Sequence, residues 1–129
     1  MRVLIVDDSE AVRERIKMLI SELTMVEMIG EAENARQAIE HIRQQAPDVV
    51  ILDIRMPGGN GIDVLREIDK KDRLPVIIML TNYPYPQYRR KCMEAGADFF
   101  FDKSREFEKV VEVLSGCMQQ TSYNPGTFS

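Results

Sequence analysis

The chain has 129 residues, 44% hydrophobic and 29% charged, the size and mix of one soluble domain that buries a core without disulfide or metal support. Its 17 Lys and Arg against 21 Asp and Glu leave a net charge of −4, which argues against direct binding of nucleic acid or an anionic membrane. No apolar run is long enough to span a bilayer, and the N-terminal run meets Asp7 and Asp8 too early for a secretory signal.

Val3-Leu4-Ile5-Val6 opens the chain as a short apolar strand. Ser9 is an N-cap residue type, and Val12, Ile16, Leu19, Ile20 and Leu23 then recur at helical spacing. A second strand is expected over 26–32, with Val26, Met28 and Ala32 alternating against polar neighbours as at a sheet edge. Asn34 caps a helix carrying Ala35, Ala38, Ile39 and Ile42, with His41 expected to be exposed, and Pro47 ends it. Val49-Val50-Ile51-Leu52 shows no alternation, so it belongs at the centre of a parallel sheet. Residues 57–61 are loop chemistry, and Ile62, Leu65 and Ile68 mark a short helix. Val76-Ile77-Ile78-Met79-Leu80 is a second central strand. Tyr83-Pro84-Tyr85-Pro86 is a loop, and Tyr88, Cys92 and Ala95 lie on a helix that Gly96 stops. Phe99-Phe100-Phe101 is the fifth strand, Phe107, Val110, Val111 and Leu114 line the last helix, and 121–129 form a flexible tail. Two cysteines, Cys92 and Cys117, without a CxxC, fit core thiols in a reducing, cytoplasmic compartment.

Five strand–helix units imply an α/β domain over 1–120, a doubly wound (βα)5 parallel sheet of strand order 2-1-3-4-5, flavodoxin-like. Asp7, Asp8, Asp53, Thr81 and Lys103 all follow carboxyl ends of strands, the rim where open parallel sheets bind ligands. Three carboxylates in one crevice repel one another unless a hard divalent cation such as Mg²⁺ joins them. With the Lys103 charge and the Thr81 hydroxyl beside it, Asp53 is placed to attack phosphorus and form an aspartyl phosphate.

The sequence resembles the receiver domain of two-component response regulators, in a chemotaxis-regulator-like form. The matching stretches are Val3–Asp8, Leu52–Gly61, Met79–Thr81, Glu94–Asp98 and Phe101–Lys103. The resemblance implies that Asp53 is the phosphoacceptor. It implies that Asp8, Asp53 and the Arg55 backbone carbonyl ligate Mg²⁺, with Asp7 reaching the ion through water. Thr81 and Phe100 are implied as switch residues, and Lys103 as a ligand of a phosphoryl oxygen. The implied donor is a phosphohistidine on a sensor histidine kinase or a histidine phosphotransfer domain. The implied output is a changed face of the fourth helix, fifth strand and fifth helix. Such a domain catalyses only its own phosphorylation and dephosphorylation. It stands alone or is excised from a longer, transcriptional or other regulator; the output partner and dimerisation on phosphorylation are left open.

Several residues depart from the family pattern. Asn82 stands where a small residue is usual after Thr81. Arg55 and Tyr83 lie two residues past Asp53 and Thr81, where side chains flank the phosphoryl group, so these three are expected to modulate its lifetime. Ser104 replaces a frequent proline and is expected to cap the last helix. The rival reading of a phosphotransferase wants an aspartate two residues after the nucleophile, where Arg55 stands. A flavin carrier wants a Ser/Thr/Gly-rich phosphate loop where Asp7-Asp8-Ser9 stands.

Overall fold

Apolar runs become strands and periodic stretches become helices in a computed structural model that describes residues 1–68, 70 and 74–120, without the side chains of 117–120. The elements are β1 (Arg2–Val6), α1 (Glu10–Ile20), β2 (Glu27–Ala32), α2 (Ala35–Gln45), β3 (Val49–Leu52), β4 (Arg55–Met56), β5 (Gly59–Asn60), α3 (Gly61–Glu67), β6 (Val76–Thr81), α4 (Pro86–Glu94), β7 (Phe99–Asp102) and α5 (Lys109–Gln120). The tail expected over 121–129 and the Cys117 side chain lie outside the described residues.

Five parallel strands form one sheet in the order β2-β1-β3-β6-β7. Counted along this sheet alone, that is the expected 2-1-3-4-5 order of a doubly wound, flavodoxin-like fold. Successive side chains of a strand point to opposite faces, which explains the runs without alternation. Leu4, Val6, Val50, Leu52, Ile77 and Met79 pack under α2, α3 and α4, whereas Val3, Ile5, Ile51, Ile78 and Leu80 pack under α1 and α5. Apolar burial on both faces is the main stabilising term and fixes which ends of β1, β3 and β6 line up.

Helix starts follow local chemistry. Ser9 accepts from the Val12 N–H at 3.2 Å, and Asn34 accepts from the Gln37 N–H at 2.9 Å. Asn60 and Asp63 form a reciprocal capping box at the start of α3. Asn60→Ala removes that cap from a helix of seven residues and lowers stability by about 1 kcal/mol; urea denaturation at unchanged slope checks this. Past α2, Ala46 turns left-handed at φ 46° ahead of Pro47.

Four details differ from the sequence-based expectation. Val26 and Met28 pack on the α1/α5 side, but Ile29 and Ala32 pack on the other. The pairing with β1 shifts register between Val3 and Leu4, and the extra residue reverses the faces downstream. Residues 55–60 contain a small antiparallel pair, β4 with β5, the second strand lying within the 57–61 stretch expected to be loop. Ser104 does not cap α5, which begins at Lys109. Its N–H and hydroxyl instead donate to Asp102 Oδ1 at 2.9 and 2.8 Å, because two further turns separate β7 from the helix. His41 is half-buried rather than exposed, its ring lying so close to Gly30 that a Cβ there would come within 3.0 Å.

Candidate functional site

Three strands deliver the acidic crevice. Asp7 and Asp53 each stand one residue beyond the last paired residues of β1 and β3, Val6 and Leu52. The Asp53 N–H donates to the Val6 carbonyl at 3.0 Å, and the Asp7 N–H donates to the Ala32 carbonyl at 3.0 Å. The Lys103 N–H donates to the Thr81 carbonyl at 2.8 Å, so β7 carries its lysine to the same rim. Carboxylate oxygens of Asp7, Asp8 and Asp53 lie within 4.8 Å of one another. Asp7, Asp53 and Lys103, which come from three different strands, are therefore adjacent through sheet register, not through sequence.

Charge is concentrated in this crevice and largely hidden from water. Asp7 is 2% exposed, Asp53 6% and Lys103 7%, while Asp8 is exposed. Lys103 Nζ lies 2.6 Å from Asp7 Oδ2 and 3.2 Å from Asp53 Oδ2. The second Asp53 oxygen accepts from the Ile54 N–H at 2.8 Å, and the second Asp7 oxygen accepts from the Ser9 N–H at 2.9 Å. Burial pushes the Asp53 carboxyl up to about 6, with the field of Asp7 adding to it and Lys103 opposing it. Burial works against the Lys103 charge, but its bond to Asp7 and the field of Asp53 outweigh that and raise its pKa. Asp7 and Asp53 share the one buried ammonium, and with Asp8 beside them the acids outnumber it. An all-oxygen donor set of this kind fits a hard divalent cation such as Mg²⁺.

The residues around the crevice divide into packed and open groups. Thr81 is fully buried, and its Oγ1 accepts from the Tyr83 N–H at 3.0 Å. Phe100 is buried in the cluster beneath α4, with the Arg89 guanidinium 5.8 Å from its ring centre. Asn82 is exposed. The Arg55 side chain is also exposed and lies over the Tyr83 ring, 4.2 Å from its centre. Arg55 and Asn82 are thus open to solvent and Tyr83 is half-buried, whereas Phe100 is packed in the core.

Two supporting groups escape a sequence reading. Arg13 on α1 donates from Nη1 to the Asp7 carbonyl at 2.7 Å and from Nε to Glu31 at 2.9 Å, which ties the acidic turn to β2. Nothing in the spacing from Asp7 announces this. Gly61 donates its N–H to the Ile54 carbonyl and packs flat on the Asp53 backbone, where a Cβ would sit 2.2 Å from the Asp53 oxygen. Its place eight residues after Asp53 is visible in the sequence, but its reason is visible only in the structure.

The profile of the response regulator receiver domain matches residues 3–115. The chain is 39% identical over 114 residues to the chemotaxis protein CheY of Thermotoga maritima, covering 88% of this chain and 94% of that protein. It is 40% identical over 104 residues to a protein-glutamate methylesterase/protein-glutamine glutaminase of Alkalilimnicola ehrlichii, covering 79% of this chain and 26% of the enzyme. It spans about half the length of other curated relatives. Among solved structures, the response regulator domain of Thermotoga maritima CheB superposes with a TM-score of 0.80 at 30% identity, covering 97% of this chain and 98% of that one.

Proposed function

This chain belongs to the response regulator receiver domain family of two-component systems, and from that membership we propose that it is a switch thrown by phosphorylation of Asp53. The observation that carries the reading is the buried Asp53–Lys103–Asp7 cluster at the carboxyl ends of β1, β3 and β7. The donor is a phosphohistidine on a sensor histidine kinase or a histidine phosphotransfer domain. An Asp53 carboxylate oxygen attacks phosphorus, the P–N bond to the histidine breaks, and the imidazole leaves with the bonding pair. Lys103 is already protonated between two carboxylates and stabilises the charge on a phosphoryl oxygen.

Asp8, Asp53 and the Arg55 backbone carbonyl would hold Mg²⁺ directly. Asp7 would reach the ion through water; its Oδ2 is held closer to Lys103, at 2.6 Å against 3.2 Å for Asp53. When bound, the ion neutralises carboxylates and phosphoryl oxygens during transfer. After transfer, the phosphoryl group presents acceptor oxygens and about two negative charges. The Thr81 hydroxyl leaves the Tyr83 N–H to donate to them, and Phe100 repacks beneath α4. The altered surface is that of α4, β7 and α5, a local electrostatic event read out by a partner. The protein works in the cytoplasm and turns over no substrate beyond its own phosphoryl group. It acts alone through a binding partner or as the receiver part of a longer regulator.

Incubation with Mg²⁺ and acetyl phosphate, read by intact mass, tests the reading. One phosphoryl group is expected, dependent on Mg²⁺ and lost in Asp53→Ala. A gain that survives Asp53→Ala would sink the assignment. The exposed Asn82 and the half-buried Tyr83 border the route of attacking water. Asn82→Ala is therefore expected to shorten the phosphoryl lifetime severalfold, on the order of 1 kcal/mol in barrier, as followed by the decay of the phosphorylated mass.

A further inference from the structure

The Arg55 side chain has a place in the structure that phosphoryl transfer alone does not use. β4 pairs Arg55 with Asn60 across the small hairpin, and the pleat that buries Met56 sends Arg55 outward. Its guanidinium then lies over the Tyr83 ring at 4.2 Å, with the Tyr88 hydroxyl beside the same group. Tyr88 in turn meets Tyr85, ring centres 5.9 Å apart. Among the described residues, Arg55 has no carboxylate partner, and its guanidinium rests on aromatic side chains instead. An always-charged planar fork is thus stored on two neutral aromatic side chains, two residues from Asp53.

Tyr83 has two attachments. Its ring is held by Arg55 and its backbone N–H by the Thr81 hydroxyl at 3.0 Å. The loop from β6 into α4 is therefore fastened at both ends of one residue, to two groups that border the crevice. The crevice has three carboxylates and one ammonium, and a phosphoryl group would deepen its negative charge. A guanidinium makes stronger, bidentate contacts to such oxygens than to an aromatic face.

Resting on the receiver reading, we infer that Arg55 is a phosphoryl-binding residue held in reserve on Tyr83 and Tyr88. Phosphorylation draws its guanidinium off the tyrosines while the Thr81 hydroxyl leaves the Tyr83 N–H. Both fastenings of Tyr83 come undone in one event, and the loop that starts α4 is released. No covalent step is involved beyond the transfer itself; Arg55 exchanges one set of partners for another.

Four tyrosines and no tryptophan make the test direct. The whole chain is labelled with 3-fluorotyrosine, its ¹⁹F signals are assigned by Tyr→Phe variants, and Mg²⁺ with beryllofluoride serves as the phosphoryl probe. The Tyr83 and Tyr88 signals are expected to shift at saturation. In Arg55→Gln they should start near the shifted positions and move little, with beryllofluoride affinity reduced about tenfold and partly restored in Arg55→Lys. Equal tyrosine shifts and equal affinity in Arg55→Gln would overturn the inference while leaving the receiver reading intact. So would saturated binding in the parent chain with no Tyr83 or Tyr88 shift. Absence of any Mg²⁺-dependent beryllofluoride binding in the parent chain would instead overturn the receiver reading, and this inference with it.

Discussion

Gly61→Ala lowers the stability of the protein by on the order of 3 kcal/mol and abolishes phosphorylation at Asp53. The added Cβ would sit 2.2 Å from the Asp53 carbonyl oxygen, 3.0 Å from its carbon and 3.2 Å from Ile54 Cα. Backbone atoms cannot rotate away as a side chain would, so either the start of α3 or the end of β3 must move. Overpacking of this kind costs about 1–3 kcal/mol, and more where the obstacle is rigid. The displaced segment is the one that carries Asp53, so the geometry of the crevice goes with it. Thermal or urea unfolding measures the first effect and intact mass after acetyl phosphate the second. Gly116→Ala is the control: its Cβ meets nothing within 4 Å inside α5, and the change should stabilise by about 0.5–1 kcal/mol. A Gly61→Ala protein as stable and as readily phosphorylated as the parent would refute the close-approach explanation.

Asp53→Asn makes the metal-free protein more stable above neutral pH. Burial raises the Asp53 carboxyl from its ordinary 3.8 to about 6, so the folded chain holds that proton more tightly than the unfolded one. Stability contributed by this group is therefore full below about pH 4 and is lost as pH rises through about 6. At pH 8 the buried carboxylate opposes folding by on the order of 2 kcal/mol. The asparagine keeps the shape and an acceptor for the Ile54 N–H, and Lys103 retains Asp7 at 2.6 Å. In chelator at pH 8, the unfolding midpoint of Asp53→Asn should exceed that of the parent, and the difference should vanish near pH 4. Mg²⁺ should raise the parent midpoint by mass action and leave Asp53→Asn nearly unmoved. A lower midpoint for Asp53→Asn at pH 8 in chelator would mean that the Lys103 pair outweighs the burial of the charge.

Much of the crevice was legible because parallel sheets expose their functional residues at strand ends. Asp7, Asp53, Thr81 and Lys103 each follow an apolar run, and the run alone fixes which end they occupy. The paired faces of β3 and β6 were equally plain, since four or five unbroken apolar residues can only be buried on both sides. Other features depend on distances that no local pattern encodes. The register shift beside Leu4 moves Ala32 to the opposite face from Met28, although the alternation of the sequence looks regular. The β4–β5 pair is two residues long on each side, shorter than any periodicity can reveal. His41 is recruited against Gly30 because a glycine on the edge strand leaves room for a ring, a fact of tertiary packing. Ser104 has the right side chain for a cap, but Asp102 two residues earlier captures it. The Asn60-x-x-Asp63 capping box, by contrast, is legible in the letters alone.

The lysine that balances the crevice sits just beyond β7, the last of the sheet's five strands in chain order and one edge of the sheet. During synthesis from the N-terminus, Asp7 and Asp53 leave the ribosome well before Lys103 does. Until β7 docks on β6 through the Thr81 carbonyl, the two acids face each other without their shared cation. A chain that stops short of β7 therefore lacks the ammonium that balances Asp7 and Asp53, although both acids are already present.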